Sequence, residues 1–287
     1  MNFLAKEPIN KGWSDDKKYC VTDEKGSRFL LRVSDPAHYD AKRAEFNAMK
    51  QVASLGVPMC LPIEFGTFEE GVFSIQSWID GEDAEQVIPN CSHDQQYAYG
   101  LAAGRILCKI HSIPAPEGQE DWAIRFNRKM DYKIQKYEEC PLHYENGQAF
   151  IDYINHNRQL LKNRPQVFQH GDYHIGNMMI DRSGQLCVID FNRSDYGDPW
   201  EEFNRIVWCA QKAPFFARGM VDGYFDGNVP MTFWKLLAVY IASNALSSLY
   251  WAIPFGRDEI TVMQNQAKDI LLWYDHMNNP VPTWYRR

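Results

Sequence analysis

Apolar and polar residues alternate in short runs over the first eighty positions of the chain. Two such runs, KYCVTD and RFLLRVSD, flank the turn EKG and predict a β-hairpin. The next segment opens with an Asp-Pro pair, places Phe46, Met49 and Val52 on one face and stops at Gly56, which predicts a helix. Two further strand-like runs surround the turn EEG. The pattern therefore predicts the order hairpin, helix, hairpin.

A helical spacing of apolar residues replaces this alternation after residue 80. Helices are predicted over Gln95–His111, within Arg128–Leu161 and after Pro199. Three strand-like runs, QVFQHGD, NMMIDRSG and LCVIDF, lie together before the last helical block. The sequence thus predicts an α+β chain, with a small strand-rich N-terminal lobe over residues 1–79 and a larger, mainly helical lobe over residues 80–287.

Charge and cysteine content narrow the class of protein. A formal net charge of −7 argues against nucleic-acid binding, which normally uses a basic patch. The seven cysteines are scattered and form no C-x-x-C pair, as expected for reduced thiols. Lys6 and Glu7 interrupt the first residues, so no apolar export signal is visible there. These features predict a cytoplasmic protein.

The most apolar stretch of the chain covers residues 233–255. Lys235, Asn244 and three serines interrupt it, whereas a transmembrane helix requires about 20 nearly continuous apolar residues. We therefore expect a buried helix of a globular protein and no membrane partner.

The segment FQHGDYHIGNMMI concentrates polar residues between two apolar runs. His170, Asp172 and His174 alternate along it, so an extended backbone would direct their side chains to one side. A zinc-type site is one interpretation, although no second histidine cluster and no H-E-x-x-H motif accompanies the three residues. A polar turn without chemistry is a second interpretation.

Two residues outside this trio favour a third interpretation, phosphoryl transfer. Asn177 follows Asp172 by five positions, and Asp190 ends an apolar run eighteen positions after Asp172. Phosphotransferases use an aspartate that accepts the proton of the attacking hydroxyl, and an asparagine and a second aspartate whose oxygens hold Mg²⁺ on the nucleotide phosphates. The three residues supply this chemical set.

The motif HGDYHIGN, followed by VIDFNRSDYGDPWEEF, resembles the signature of the aminoglycoside phosphotransferase family, which reads H-G-D-x-x-x-x-N, then I-D, then G-D-P. The resemblance implies a bilobal protein-kinase-like fold and an enzyme that phosphorylates hydroxyl groups of small molecules, often antibiotics. It makes Asp172 the catalytic base and Asn177 and Asp190 the Mg²⁺ ligands, with ATP or GTP as phosphate donor. It also makes His170 a structural residue of the loop.

The segment YGDPWEEF carries the signals of a helix start. Asp198 is predicted as the N-cap, Pro199 as the first helical residue, and Glu201 as the acid of a capping box. These signals assign Asp198 a structural role. Glu202 stands where members of the family usually have an aspartate.

A kinase-like N-terminal lobe places a lysine of its third strand, paired with a glutamate of the following helix, against the nucleotide phosphates. This chain has Arg32 at that strand position and Glu45 on the helix. Arginine keeps the positive charge but presents it as a planar fork. We expect Arg32 to contact the phosphates, with Lys17 or Lys18 of the neighbouring strand as the alternatives.

Further nucleotide contacts are predicted at the first turn and at the connection between the lobes. Gly12 and Ser14 lie in the first turn, which has no Gly-x-Gly-x-x-Gly motif. The backbone from Ser77 to Ile79 is expected to hydrogen-bond the purine, and Ile189 to pack beneath it.

The acceptor is not specified by the sequence. Acids that follow the metal-binding aspartate favour a cationic small molecule such as an aminoglycoside; these are Asp195, Glu201, Glu202, Asp222, Asp226, Asp258 and Glu259. Aromatic residues would equally hold a sugar, a macrolide or a quaternary amine.

Antibiotic inactivation, and hence antibiotic resistance, is the leading interpretation. The alternatives are a metabolite kinase of the choline, homoserine or sugar type, and a nucleotide-binding pseudokinase, which the arginine at position 32 motivates. The oligomeric state is not specified either.

Overall fold

The computed structural model describes residues 3–10, 15–69 and 71–286. In these residues the strands are β1 (Phe3–Ile9), β2 (Lys17–Asp23), β3 (Arg28–Ser34), β4 (Pro62–Phe68), β5 (Gly71–Ser77), β6 (Gly81–Asp83), β7 (Val167–Gln169), β8 (Met178–Asp181), β9 (Leu186–Val188) and β10 (Asp195–Gly197). The helices are α1 (Tyr39–Ser54), α2 (Ala84–Val87), α3 (His93–Ile110), α4 (Trp122–Glu138), α5 (Gln148–Asn157), α6 (Ile206–Lys212), α7 (Pro214–Phe225), α8 (Met231–Ala252) and α9 (Arg257–Trp273).

The chain divides into two compact units. The first unit is Met1–Val87 together with Gly176–Ser194, and the second is Ile88–Ile175 together with Asp195–Arg287. The first unit therefore extends past residue 79, where the sequence predicted the boundary, and takes in a segment from the second half of the chain.

The first unit is built on an antiparallel sheet in the order β1-β2-β3-β5-β4. β2 and β3 form the first predicted hairpin, with Lys18 opposite Arg32. Gly26 in its turn has a φ of 80°, a left-handed conformation that glycine adopts without strain. β4 and β5 form the second predicted hairpin. The strands of both predicted hairpins are confirmed, whereas β1 was not predicted from the sequence.

The helix α1 packs on β4 and β5 through the face that the sequence predicted. Phe46, Met49 and Val52 are its buried residues, and the Phe46 ring lies 5.5 Å from the ring of Phe65 on β4. Apolar residues spaced by three form one face of a helix, and burying that face stabilises the sheet-helix pair. The predicted helix and its orientation are confirmed.

A second small sheet in the first unit has the order β6-β8-β9. Val188 N at the end of β9 donates to Pro58 O at 2.9 Å, which fixes this sheet to the loop that follows α1. Asn177 precedes β8 and Asp190 follows β9, so the open ends of the β8–β9 hairpin carry both predicted metal ligands.

The second unit is mainly helical, and α3 and α7 pack with their backbones in contact. Gly100 and Gly104 on α3 lie against Gly219 and Gly223 on α7. A methyl group at any of these four positions would overlap backbone atoms of the opposite helix. Residues four apart share one face of a helix, so each helix presents a glycine pair to the other and no larger side chain fits.

The strand β7 pairs with β10 in the second unit, with Gln169 opposite Asp195. The three strand-like runs that the sequence grouped together therefore belong to two different sheets. The strand partners β6 and β10 are only three residues long, too short for a periodic pattern to reveal them.

The helix α8 lies inside the second unit. The stretch Met231–Phe255 is long and apolar enough to span a membrane, but 67% of its most apolar window is buried within the chain itself. This confirms the prediction of a buried helix. With the strand-rich sheet of the first unit and the helices of the second, it also confirms the α+β class.

Candidate active site

Arg32 lies at the centre of a buried ion-pair network in the first unit. Its Nη1 donates to Asp190 Oδ1 at 2.9 Å, while Nε and Nη2 donate to Asp16 Oδ2 at 3.1 and 2.9 Å. Arg32 Nη1 also lies 4.0 Å from Glu45 Oε1. Arg32 is only 4% exposed. Its burial lowers the pKa of the guanidinium, but the surrounding carboxylates raise that pKa by more, so the side chain stays cationic.

Asp16 and Lys42 complete this network. Asp16 Oδ1 accepts a hydrogen bond from Ser34 Oγ, and Lys42 Nζ donates to Asp16 Oδ2, both at 2.7 Å. Lys42 Nζ also donates to Glu45 Oε2 at 3.1 Å. Burial opposes ionisation of Asp16, but these hydrogen bonds and the charge of Arg32 lower its pKa to about 2.

The two alternatives to Arg32 differ in where the strand register places them. Lys18 lies directly opposite Arg32, so their side chains leave the same face of the sheet, whereas Lys17 alternates to the other face. Burial lowers the pKa of Lys18, and the charge of Asp190 opposes that effect. Lys18 is therefore a second cation beside Asp190, and Lys17 is not.

Asp190 and Asn177 are held at adjoining ends of the β8–β9 hairpin. Ile189 N donates to Asn177 O at 3.0 Å, which ties the residue before Asp190 to Asn177. Asp190 has a φ of 67°, a left-handed conformation uncommon for residues other than glycine. Such conformations persist where the surroundings impose them, and they concentrate at functional sites. Here the hydrogen bond from Arg32 orients a carboxylate that remains 27% exposed.

The oxygen donors at this hairpin suit magnesium rather than zinc. The described part of the chain holds no group of three or more His, Cys, Asp or Glu side chains able to bind a metal, which removes the basis of the zinc-type interpretation there. Asp190 and Asn177 offer a carboxylate and an amide oxygen. Mg²⁺ takes one or two such protein ligands and completes its octahedral shell with water and phosphate oxygens. These residues therefore fit a Mg²⁺ that arrives with a nucleotide.

The predicted purine-binding residues Ser77 and Ile79 line a cleft of about 530 Å³ in the first unit, together with Trp78 and the β8–β9 turn. Ser77 N donates to Leu61 O and Ser77 Oγ accepts from Leu61 N, both at 2.8 Å. The backbone donor of Ser77 is therefore used within the protein. Ile79 has no backbone hydrogen bond to a described residue, which leaves its N–H and C=O open to a ligand.

The structure does not place the other predicted nucleotide contacts, Ile189, Gly12 and Ser14, at this cleft. Ile189 is absent from the described residues that line this cleft. Gly12 and Ser14 lie outside the residues that the structure describes.

Asp172 lies in the loop that follows β7 in the second unit. Its N–H donates to Nδ1 of the fully buried His170 at 3.3 Å, and the His170 ring packs edge-on against Tyr173. The Asp172 side chain is 17% exposed, with Arg205 Nε 3.3 Å and His174 Nε2 3.7 Å from its Oδ1. Asp172 is thus a fixed, accessible carboxylate, and His170 has the surroundings of a structural residue.

The side chain of Glu202 holds the backbone of this loop. Its carboxylate oxygens accept hydrogen bonds from Gly171 N at 3.0 and 3.1 Å and from Tyr173 N at 3.3 Å. Burial raises the pKa of Glu202, but the adjacent His111 and His170 and the Gly171 N–H lower it by more. An ionised, buried carboxylate therefore positions the residues on both sides of Asp172.

Asp198 is engaged in a structural role. It is fully buried and accepts hydrogen bonds from Arg164 Nε at 2.6 Å and from Tyr240 OH at 2.6 Å. The predicted capping box does not form, because residues 201–205 adopt a 3₁₀ helix and the Glu201 side chain accepts a hydrogen bond from Gln169 Nε2 instead.

The acids that favoured a cationic acceptor are mostly engaged inside the second unit. The pairs are Asp195 with Arg125, Glu201 with Lys129, Glu202 with the N–H groups of Gly171 and Tyr173, and Asp222 with the hydroxyls of Tyr97 and Tyr285. Asp226 caps the end of α7, and Asp258 and Glu259 lie in the first turn of α9. The ion pairs of Asp195, Glu201 and Asp222, the last with Arg218, reduce the field that these three acids contribute for attracting a polycation.

Three residues of these arrangements, Asp16, Lys42 and Arg205, were not predicted from the sequence. Arg205 carried a signal, since it follows Glu201 by four positions in a predicted helix and so shares its face. Asp16 carried none, because its contact with Arg32 depends on how β2 pairs with β3.

A model of the phosphotransferase enzyme family, APH, matches residues 7–234 of the chain. The matched range includes Asp172, Asn177 and Asp190. No curated protein matches the chain by sequence.

Solved structures share the fold. A thermostable mutant of aminoglycoside phosphotransferase APH(4)-Ia, in a ternary complex with ADP and hygromycin B, is 18% identical with a TM-score of 0.67, and the match covers 94% of each chain. Amicoumacin kinase hAmiN, in complex with AMP-PNP, Ca²⁺ and Ami, is 15% identical with a TM-score of 0.63, over 98% of this chain and 91% of that one. The gentamicin complex of APH(2'')-IIa is 17% identical with a TM-score of 0.60, over 92% and 91%.

These likenesses confirm the kinase-like fold that the motifs implied. The family model covers most of the chain, including the three motifs that carried the resemblance. The chain belongs to the phosphotransferase enzyme family.

Proposed function

We propose that the protein transfers the γ-phosphate of ATP or GTP to a hydroxyl group of a small molecule in a Mg²⁺-dependent reaction. Asp172 accepts the proton of the hydroxyl as its oxygen attacks phosphorus, and Asn177 and Asp190 hold the metal. Mg²⁺, when bound, neutralises charge on the phosphates. The observation that carries the proposal is that Asp172 is accessible while both flanking N–H groups are held by the buried Glu202.

On the nucleotide side, we assign Arg32 and Glu45 to the network that orients Asp190. The Arg32 guanidinium already donates to Asp16 and Asp190. It can contact a phosphate only if Nη1 donates to both Asp190 and the phosphate. The open backbone of Ile79 is assigned to the purine edge and Ile189 to its face.

Two acceptor classes are candidates. An antibiotic such as an aminoglycoside is supported by the family signature, and the complexes of similar structures contain hygromycin B and gentamicin. A metabolite kinase is supported by charge, because Asp195, Glu201 and Asp222 are ion-paired within the second unit while Arg205 lies beside Asp172. A pseudokinase is disfavoured, since a module that only binds nucleotide has no need of the complete Asp172, Asn177 and Asp190 set.

The test is a transfer screen with purified protein, Mg²⁺ and either ATP or GTP, run over aminoglycosides, macrolides, amino alcohols, sugars and hydroxy acids. We expect acceptor-dependent release of ADP or GDP and a phosphorylated product by mass spectrometry. If the protein binds nucleotide normally but shows neither phosphate transfer nor slow nucleotide hydrolysis, the proposal is overturned and the pseudokinase is established.

A further inference from the structure

Lys133 on α4 is a largely buried lysine with no counter-ion among the residues that the structure describes. The side chain forms no hydrogen bond and no ion pair with any residue that the structure describes. Withdrawing an ammonium group from water without a partner is costly. Burial lowers the pKa of Lys133 to about 7, and the positive charges of Lys129 and Arg205 act in the same direction, while Glu201 opposes them.

Arg205 is the second cation of this cluster, and it reaches Asp172. Its Nε lies 3.3 Å from Asp172 Oδ1, and its two terminal nitrogens have no hydrogen bond to a described residue. The guanidinium is 24% exposed, so these donors are accessible to a ligand.

Lys129 lies one turn before Lys133 on the same face of α4. Among the described residues, Glu201 is the acid that acts on both lysines; it is 3.7 Å from Lys129 and also accepts a hydrogen bond from Gln169. Counting Asp172, which lies beside Arg205, two carboxylates face three basic side chains, so the cluster has one excess positive charge when Lys133 is protonated.

We propose that Lys133 and Arg205, with Lys129 at the margin, bind an oxyanion of the acceptor, a carboxylate or a phosphate, and so hold its hydroxyl against Asp172. This inference rests on the proposed function for its catalytic part. An arginine fork and an adjacent ammonium match the paired oxygens of such a group. An oxyanion would also supply the counter-ion that Lys133 lacks.

The inference names a substrate class. Hydroxy acids, sugar acids and phosphorylated alcohols satisfy the cluster, whereas a polycationic aminoglycoside would place like charges against it. The acceptor is then a metabolite with an anionic group, bound a short distance from the hydroxyl that receives phosphate.

The test is protection of Lys133 from acetylation by acetic anhydride, measured by mass spectrometry on the full-length wild-type protein. Inorganic phosphate and malonate are the probes, chloride at matched ionic strength is the control, and Lys136 is the internal reference because it is exposed and paired with Glu139. We expect saturable protection of Lys133 alone, and Arg205→Gln should raise the anion concentration at half-protection at least tenfold. Protection by phosphate but not malonate assigns the site to phosphate esters, and the converse to carboxylates. Protection no greater than with chloride would overturn the inference.

Steady-state kinetics distinguish a failure of this inference from a failure of the proposed function. With an anionic acceptor found in the transfer screen, Lys133→Met should raise the acceptor KM about tenfold or more, without changing the nucleotide KM, and Lys136→Met should change neither. An equal loss of kcat on all acceptors, at unchanged KM, would assign Lys133 to the transferred phosphoryl group and overturn the oxyanion site. Protection of Lys133 in a protein without any transfer would retain the site and refute the kinase.

Discussion

Arg32 Nη1 donates to Asp190 Oδ1 at 2.9 Å, joining a buried residue of β3 to the aspartate that follows β9. The same guanidinium holds Asp16 through its other two nitrogens. A lysine has a single head group and lacks the fork needed to hold both carboxylates in this geometry. The arginine, at a position where the family resemblance predicts lysine, is therefore held by two carboxylates, Asp16 and Asp190.

Arg32→Met should destabilise the protein by about 3–5 kcal/mol, because it leaves buried carboxylates without their cation. Arg32→Lys should cost less but still weaken Mg²⁺-dependent nucleotide binding. Urea denaturation and nucleotide titration measure the two effects. Arg43→Met, on the exposed face of α1, is the control and should change stability by less than about 0.5 kcal/mol. Equal effects of the two methionine variants would contradict the network.

Asp16 should make stability depend on acid pH. Its pKa is about 2 in the folded protein, below the ordinary value of 3.8, so its contribution is present above about pH 4 and is lost as pH falls toward 2. The difference corresponds to about 2 kcal/mol. The unfolding free energies of wild type and Asp16→Asn should therefore converge as pH falls from 6 to 2.5. A constant gap across that range would show that Asp16 is not ionised in the network.

Gly100→Ala should destabilise the second unit by at least about 2–3 kcal/mol, because the new methyl group would overlap the backbone of α7. Alanine normally stabilises a helix relative to glycine, so the expected loss of stability is opposite in sign to the change that helix propensity alone predicts. Thermal and urea unfolding provide the measurement. Lys109→Ala, at an exposed position of the same helix, should be nearly neutral. A stabilised Gly100→Ala protein would disprove the close approach of the two backbones.

Glu202→Ala should lower kcat by about 10²-fold, since a loop displaced by about 1 Å misplaces the catalytic carboxylate. The nucleotide KM should be little changed, because the described partners of Glu202 are N–H groups of the loop and His111 at the end of α3. Steady-state kinetics with the acceptor from the screen provide the measurement, with Glu201→Ala compared in parallel. Full activity of the Glu202 variant would remove it from the positioning role.

The local pattern of apolar and polar residues was sufficient to predict most strands and helices of the fold. The β2–β3 hairpin and the buried face of α1 follow from alternation and from the three-residue spacing of Phe46, Met49 and Val52. The pairing of β7 with β10 was not predictable, because a three-residue strand has no measurable period and its partner lies far along the chain. The motif residues were recognisable for the opposite reason, since Asp172, Asn177 and Asp190 are linked by short, fixed spacings.

The charged surroundings of those motif residues were not predictable. Asp16 reaches Arg32 only through the sheet register, and the charge of Arg205 acts on Lys133 only through the packing of the second unit. A solvated surface lysine and a lysine withdrawn from water have the same sequence pattern, so the cluster of basic side chains beside Asp172 emerges only from the structure.

The most direct test of the proposed chemistry is single-turnover phosphate transfer by Asp172→Asn, with nucleotide affinity measured on the same preparation. We predict a loss of transfer of about 10²- to 10⁴-fold, because the amide cannot accept the hydroxyl proton. Nucleotide affinity in the presence of Mg²⁺ should be largely preserved. The exposed variant Asp152→Asn, on α5, should transfer phosphate at the wild-type rate. Transfer by Asp172→Asn at that same rate would contradict the assignment of Asp172 as the catalytic base.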